Sequence, residues 1–114
     1  DGGRQDQFLS GLEILFKYSK KARLISWTQM ERMEFIYKNW EEEIQPGTTL
    51  SMLPVFGVAQ GIVTKGLKYP LKNQSLIPGK SPSGVSNLVI STPVKINLTK
   101  GRLLVVIQHK KFFN

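Results

Sequence analysis

The stretch "GIVTKGLKYPL" (61–71) carries the pattern that decides the fold. Its first half is β-branched and aliphatic, which is typical of a strand. Gly66 indicates a bulge or a close approach of two backbones, and Pro70 indicates that the strand stops there or lies at a sheet edge. Tyr69 therefore stands at a strand end, where its ring either packs into the core or faces a ligand. This stretch alone leaves both interpretations open.

Similar runs fill the chain from Pro46 onward: "TTLSMLPVFG" (48–57), "NLVISTPVKINL" (87–98) and "RLLVVIQ" (102–108). Turn signals such as "PG" and "KN" separate them at short spacing. The pattern predicts an antiparallel sandwich or barrel. The longest loop-like stretch is "IPGKSPSGVSN" (77–87), which carries two prolines and two glycines.

The front of the chain has a different pattern. "RQDQFLSGLEILFKYSKK" (4–21) predicts an amphipathic helix, because apolar residues recur on one face at helical spacing and lysines gather at its C-terminal end. We expect this apolar face to lie in the core; it comprises Phe8, Leu12, Leu15 and Phe16. A short β-prone run, "ARLISW" (22–27), follows the helix.

The next stretch, "QMERMEFIYKNWEEEIQ" (29–45), is ambiguous. Its Glu and Met content favours a helix, whereas "EFIY" (34–37) favours a strand. Propensity alone predicts a helix here. A break near 45–47 would then separate a helical, mildly acidic front from a basic β-rich back.

Composition excludes several kinds of site. The 114 residues suffice for one domain with a modest core, and no apolar run is long enough to span a membrane. No signal peptide is visible. The chain has no cysteine, which excludes disulfides and thiolate sites and fits a reducing, cytoplasmic location. His109 is the sole histidine, which excludes a multi-histidine metal site, and we expect it at the surface or a strand end.

The charges are distributed unevenly. All eight acidic residues lie within the first 43 positions, and residues 44–114 carry nine Lys or Arg and no Asp or Glu. A basic half of this kind attracts anions and suits a phosphate-bearing partner, although a scattered basic surface explains it equally well. The second half cannot supply carboxylates for a metal or for acid–base catalysis.

Three segments together resemble the thiamine pyrophosphokinase family. "GGRQDQ" (2–7) before a helix is similar to its Gly-Gly-Arg-x-Asp-His/Gln motif. "PGTTLSMLPVFGVAQGIVTKGLKYPL" (46–71) resembles the stretch that ends in Thr-x-x-Gly-Leu-Lys-Trp/Tyr-x-Leu, and it is the most specific of the three. "GKSPSGVSNLV" (79–89) is similar to the Gly…Ser-Asn segment, although its spacing differs, so contacts by Ser83 and Gly84 are left unassigned.

The resemblance implies a homodimeric enzyme that transfers a diphosphoryl group from ATP to the hydroxyl of thiamine, giving thiamine diphosphate and AMP. It implies that 1–28 are the end of an α/β ATP-binding domain and that 29–114 form an antiparallel β-sandwich that binds thiamine between subunits. Mg²⁺ and ATP would be held mostly by an upstream part that these residues do not include, so the chain alone should be inactive. The resemblance also replaces the helix at 29–45 with strands "RMEFIY" (32–37) and "WEEEIQ" (40–45).

The resemblance also suggests roles for the first motif. Arg4 is the candidate donor to phosphate oxygens, since its planar fork engages them bidentately just before a helix start. Asp6 is the candidate contact for magnesium or for the thiamine amino group, with helix capping as the alternative. Gln7 stands where many relatives have His and is a candidate thiamine contact.

In the other two segments Tyr69 is the main candidate for thiamine binding, because an aromatic face suits both a flat pyrimidine and a cationic thiazolium. Ser86 and Asn87 are candidate hydrogen-bonding partners of the pyrimidine edge. Lys68 is the candidate for attracting phosphate, together with Lys65 nearby, although the sequence leaves open which face each occupies.

Two other functions remain open. A small basic β-module could bind nucleic acid by stacking bases on several aromatic side chains. Between Gly47 and Gln108 only Phe56 and Tyr69 are aromatic, which is few for such a surface. A purely structural dimerisation domain is the third interpretation. We therefore expect thiamine and ATP as partners, with neither a membrane nor nucleic acid among them.

Overall fold

The computed structural model describes residues 2–80 and 85–109, with side chains described from residue 8 onward except at Val85. Within these ranges one helix precedes nine strands. They are α1 (Gly2–Tyr18), β1 (Ser26–Trp27), β2 (Glu31–Ile36), β3 (Trp40–Glu42), β4 (Thr49–Leu53), β5 (Ala59–Lys65), β6 (Lys72–Leu76), β7 (Val85–Leu88), β8 (Val94–Asn97) and β9 (Leu103–Gln108). No helix in these described ranges is both long and apolar enough to cross a membrane.

The strands form two antiparallel sheets that face each other. One sheet has the order β1-β2-β9-β4-β7 and the other has the order β3-β8-β5-β6. Strand β9 lies at the centre of the first sheet, pairing with β2 on one side and with β4 on the other. The predicted antiparallel β-sandwich with an N-terminal helix is confirmed.

The burial of β9 shows how the layers are arranged. Leu103, Val105 and Ile107 join the main core between the sheets, whereas Leu104 belongs to a second cluster. Successive strand residues point to opposite faces, so this second cluster lies on the outer face of the five-stranded sheet. It also contains Leu12 of α1, so the helix covers this outer face.

The helix prediction holds in part. The helix begins at Gly2, so Arg4 lies inside it rather than just before its start. Leu12 is buried and Phe16 is half-buried against the sheet, as expected. The prediction that Phe8 lies in the core is wrong: its side chain is 55% exposed because the sheet meets the helix along a narrower stripe than the sequence pattern suggests.

The propensity-based helix at 29–45 is wrong. The two strands implied by the family resemblance are present, but the second ends at Glu42 and not at Gln45. Glu31–Ile36 pairs along its full length with β9, and Trp40–Glu42 pairs with β8 of the other sheet. The hydrogen bonds to β9 and the burial of Met33 and Phe35 outweigh the weak helical preference of Glu and Met. The front half is therefore not purely helical.

Two further loop assignments are corrected. "KN" (72–73) is not a turn, because Lys72–Leu76 is a strand on the edge of the four-stranded sheet, paired with β5 through register shifts. Asn73 has a φ of 64°, which accommodates this irregularity. The loop predicted at 77–87 ends before Val85, so Ser86 and Asn87 lie on a strand.

The opening stretch behaves as its glycine and proline indicate. Gly66 has a φ of 90°, and a Cβ there would lie 2.7 Å from the carbonyl oxygen of Ser91. The predicted close approach of two backbones is therefore confirmed. Strand β5 ends at Lys65, and Pro70 falls in the connection before β6, as predicted.

Candidate functional site

The candidate site is built on the connection between β5 and β6, which lies alongside β7. Leu67 forms an isolated bridge with Val89, and the Lys68 N–H donates to the Leu88 carbonyl oxygen at 2.8 Å. Thr64 and Leu71 close the base of this connection. The Thr64 N–H donates to the Leu71 carbonyl oxygen, and the Leu71 N–H donates to the Thr64 hydroxyl oxygen. These contacts fix the backbone on which Tyr69 is presented.

The side chain of Tyr69 points into solvent. Its exposed fraction is 57%, although it follows a buried leucine by only two residues. The interpretation of Tyr69 as a core residue is therefore wrong for this structure. An exposed aromatic ring on a fixed backbone is a ready surface for stacking, so the predicted ligand contact stays a prediction that the geometry permits.

Asn87 holds the backbone of Tyr69. The Asn87 side chain is 4% exposed, and its Oδ1 accepts hydrogen bonds from the N–H groups of Tyr69 at 2.9 Å and Leu88 at 3.0 Å. Its Nδ2 donates to the Tyr69 carbonyl oxygen at 2.7 Å. Most of its hydrogen-bonding capacity is thus used within the chain. The structure favours Asn87 as a residue that positions Tyr69 over one that contacts a ligand directly.

The ammonium group of Lys68 lies over the face of the Tyr69 ring. Its Nζ is 5.4 Å from the centroid of the Tyr69 ring, within the range of a cation–π contact. Lys65, in contrast, pairs in register with Lys95 of β8, and both are exposed on the outer face of the four-stranded sheet. Of the two lysines that the sequence analysis names, Lys68 is the one beside Tyr69.

Ser86 lies on the opposite side of β7 from Asn87, because neighbouring residues of a strand face opposite ways. Its register partner is Ser51, and it is exposed. The structure thus brings together Lys68, Tyr69 and Asn87 and sets Ser86 apart from them. A thiamine contact by Ser86 stays a prediction.

The remaining candidates fall where the structure gives no side chains. Arg4, Asp6 and Gln7 lie in the first two turns of α1, and their side chains are outside the described part. Ser83 and Gly84 also lie outside the described residues. The roles suggested for Arg4, Asp6 and Gln7 stay predictions.

A magnesium ion lacks a ligand set in the described part of the chain. Within those ranges no three His, Cys, Asp or Glu residues are grouped so that they could hold a metal. The polar side chains described near Tyr69 are the ammonium of Lys68, the amide of Asn87 and, at the base of the connection, the hydroxyl of Thr64. They do not suit a hard cation that prefers carboxylates. The described residues therefore do not fit Mg²⁺.

A charge network that the sequence reasoning did not predict surrounds the buried carboxylate of Glu34 and joins the segment after α1 to β2 and β3. Arg23 donates to both carboxylate oxygens of Glu34, at 2.9 and 2.7 Å, and to Glu42 at 2.7 Å. Arg32 also contacts Glu42. The Trp40 Nε1–H donates to Glu34 at 3.1 Å. The one available signal was Glu34 at a strand position between apolar residues, where a charge needs a partner.

The pKa values of the two arginines in this network are shifted in opposite directions. The hydrogen bonds that Arg23 donates to Glu34 raise the pKa of Arg23 above its ordinary value, against a smaller effect of burial. Burial lowers the pKa of Arg32, which lies deeper in the structure. Because the pKa of Arg23 is higher in the folded chain, its ion pair with Glu34 stabilises the fold throughout the neutral range, and this contribution is lost only as the pH rises through the raised pKa.

Known proteins share this fold. A sequence model of the family described as "Thiamin pyrophosphokinase, vitamin B1 binding domain" matches residues 39–103. Solved structures are similar as well: thiamine pyrophosphokinase from Bacillus subtilis (TM-score 0.84, 22% identity, 97% of this chain and 53% of that one) and thiamin pyrophosphokinase from Geobacillus thermodenitrificans (0.85, 21%, 98% and 52%). Yeast thiamin pyrophosphokinase is similar at a TM-score of 0.76 and 22% identity, over 95% of this chain and 37% of that one.

These structural similarities cover part of each relative and come with low sequence identity. The chain spans about half the length of the two bacterial structures. At these identities the structural similarity establishes the fold alone. No curated protein sequence matches the chain.

Proposed function

Because the chain belongs to the thiamin pyrophosphokinase family through its vitamin B1 binding domain, we propose that it forms the thiamine-binding part of a thiamine diphosphokinase. In that reaction the thiamine hydroxyl oxygen bonds to the β-phosphorus of ATP, the bond from that phosphorus to the α–β bridging oxygen breaks, AMP leaves and the hydroxyl proton is released. The observation that carries the proposal is the family match over 39–103, since this range contains Lys68, Tyr69 and Asn87.

Tyr69 is the proposed platform for thiamine. Its exposed ring offers a face to the flat pyrimidine or to the cationic thiazolium, and both stacking and cation–π attraction favour such contacts. The hydrogen bonds from Asn87 hold the Tyr69 backbone before any ligand arrives. A preformed platform loses less conformational entropy on binding.

Lys68 has a distinct proposed role. Its ammonium lies 5.4 Å from the ring centroid, where it competes with a thiazolium for the same ring. We propose that Lys68 moves off the ring when thiamine stacks and then pairs with the anionic phosphates. A flexible four-carbon stem allows this movement. The movement takes a positive charge away from the cationic thiamine and towards the phosphates.

The other steps are proposed to depend on residues beyond this site. The described residues offer no carboxylate cluster, so ATP and Mg²⁺ handling is assigned to the rest of the enzyme, with Arg4 and Asp6 as candidates at the junction. We propose that the 114 residues bind thiamine without turning it over. A homodimeric, cytoplasmic enzyme belongs to the same proposal.

Thiamine binding tests the site directly. Isothermal titration of the chain with thiamine should detect a complex, and Tyr69→Ala should raise its Kd about tenfold. This change corresponds to the loss of one aromatic contact that contributes roughly 1.4 kcal/mol. Tyr18→Ala is the matched control, because Tyr18 is also exposed and also carries a lysine ammonium 5.4 Å from its ring centroid. Equal loss in both variants, or none in either, would remove Tyr69 from the site.

The reaction itself needs the complete gene product that contains these residues. With thiamine, ATP and magnesium it should form thiamine diphosphate and AMP in equal amounts. If the folded protein forms neither product, the family membership reports shared ancestry of the fold and the proposed activity is wrong. Turnover by the 114 residues alone would contradict the assignment of ATP handling to other residues.

A further inference from the structure

A cleft of about 410 Å³ lies in a part of the chain distant in sequence from Tyr69. It is formed where residues 19–23, which follow α1, face the end of β2 and the turn between β2 and β3. Sites for small molecules typically measure roughly 300–1,000 Å³. The rim carries Lys20, Lys21, Tyr37 and Lys38, and Glu34 lies at the floor.

The carboxylate at the floor is already neutralised. Arg23 engages both oxygens of Glu34, and the Trp40 indole N–H donates to one of them at 3.1 Å. Glu34 is only 4% exposed. Its negative charge is therefore paired inside the protein and does not repel an anion that enters the cleft.

The rim, in contrast, carries positive charge without a counter-ion. Among the described residues, none forms an ion pair within 4.0 Å with Lys20, Lys21 or Lys38. The Nζ atoms of Lys20 and Lys38 lie 5.7 and 5.5 Å from the centroid of the Tyr37 ring. Two ammonium groups thus gather around one phenol, whose hydroxyl can also donate to an anion.

Compensation of the helix dipole does not explain this arrangement. Lysines in the last turn of a helix commonly offset its negative C-terminal end, but α1 ends at Tyr18 and the lysine of its last turn is Lys17, so Lys20 and Lys21 lie beyond the helix. In addition, the Phe16 carbonyl oxygen already accepts from the Ser19 hydroxyl and the Arg102 guanidinium, both at 2.8 Å. Lys38 belongs to the sheet turn, so its place at the rim has no helical cause.

We propose that this cleft binds a small anion with a chain of phosphate groups, held by the ammonium groups of Lys20, Lys21 and Lys38 and by the hydroxyl of Tyr37. Three uncompensated positive charges in a concave site match the several negative charges of a di- or triphosphate chain. The half-buried ring of Tyr37 is the one aromatic group at the rim, which is too few for a track of stacked bases, so a nucleic acid is disfavoured. The proposal does not depend on thiamine binding.

The test uses isothermal titration of the chain with inorganic triphosphate. The double variant Lys20→Gln, Lys38→Gln should bind it at least tenfold more weakly, since it loses two charge-assisted contacts. The control variant Lys72→Gln, Lys100→Gln removes the same charge from β6 and from the loop before β9, and should bind within about twofold of the native chain because those lysines lie outside the cleft.

Parallel titrations with ATP and AMP distinguish the sources of the phosphate chain. ATP binding tighter than triphosphate supports a nucleotide as the ligand, and equal affinities support the phosphate chain alone; both outcomes require AMP to bind much more weakly. No triphosphate binding, or an equal loss in the two double variants, overturns the proposal. A single-stranded oligonucleotide that binds where triphosphate does not would overturn it as well.

Discussion

The hydrogen bonds of Asn87 to Tyr69 allow a test of how the candidate site is held. The perturbation is Asn87→Ala, which removes one acceptor and one donor from a nearly buried position. Three hydrogen bonds are lost, at 2.9, 3.0 and 2.7 Å, and two of them reach the backbone of Tyr69. We expect the variant to fold but to be less stable, with a looser connection between β5 and β6.

The size of the effect follows from those three contacts. Each intramolecular hydrogen bond contributes about 1 kcal/mol net, so their loss costs about 3 kcal/mol. The exposed ring of Tyr69 lets water reach part of this backbone, which reduces the expected loss to about 2–3 kcal/mol. For a domain of this size that corresponds to a fall in the melting temperature of roughly 8–12 °C.

Urea unfolding followed by tryptophan fluorescence measures the free energy of unfolding. Asn97→Ala, an exposed asparagine of β8, is the matched control and should change it by less than about 0.5 kcal/mol. Hydrogen exchange provides a local measurement, because the Tyr69 and Leu88 amides should lose protection. Equal stability of the two variants would refute the assignment of a stabilising role to Asn87.

A double-mutant cycle separates positioning from direct contact. If Asn87 acts on thiamine through Tyr69, Asn87→Ala should weaken thiamine binding in the native chain and have little further effect in the Tyr69→Ala background. If Asn87 contacts thiamine itself, the two losses should add. Additive losses would therefore overturn the positioning role while leaving the thiamine site intact.

Two other predictions address the fold. Glu34→Gln should lower the free energy of unfolding by about 2–4 kcal/mol, because Arg23 loses its buried partner. The control Glu41→Gln should lower it by less than about 0.5 kcal/mol, since the contact of Glu41 with Lys95 is long and exposed. Urea unfolding checks both, and equal effects would contradict the importance of the network. Gly66→Ala should destabilise by about 2 kcal/mol or more at its positive φ and close backbone contact, whereas Gly11→Ala, in the helix with open space, should stabilise by about 0.5–1 kcal/mol. A thermal melt in which Gly66→Ala is neutral would refute the backbone argument.

Local sequence signals predicted the parts of the fold that depend on near neighbours. The aliphatic runs at 48–57 and 102–108 became β4 and β9. Burial alternates along β4, as the period of two predicts, whereas β9 is apolar on both faces because the other sheet covers one face and α1 covers the other. Gly66 and Pro70 marked the close backbone approach and the strand end correctly, because each acts through its own backbone. His109 likewise lies at a strand end, stacked on Trp27.

Other elements escaped local reasoning because distant partners determine them. The stretch 29–45 has helical composition, yet pairing with β9 makes its first part a strand. The polar run Lys72–Leu76 has no apolar alternation, and only its hydrogen bonds to β5 identify it as an edge strand. In both cases tertiary pairing outweighs preferences worth a few tenths of a kcal/mol per residue.

By itself the sequence determined the β-rich class, the helix at the front, the basic back half and, through its motifs, the family. The tertiary structure alone decided what the chemistry-bearing residues do. Asn87, 18 positions later, binds the backbone on which the Tyr69 ring is presented, and the carboxylate of Glu34 in β2 is paired by Arg23 and Trp40. The same holds for the cleft, where Lys20 and Lys38 converge on one ring. The sequence shows how many charged residues the chain has. Which partner each charge contacts is decided when segments far apart in the chain pack together.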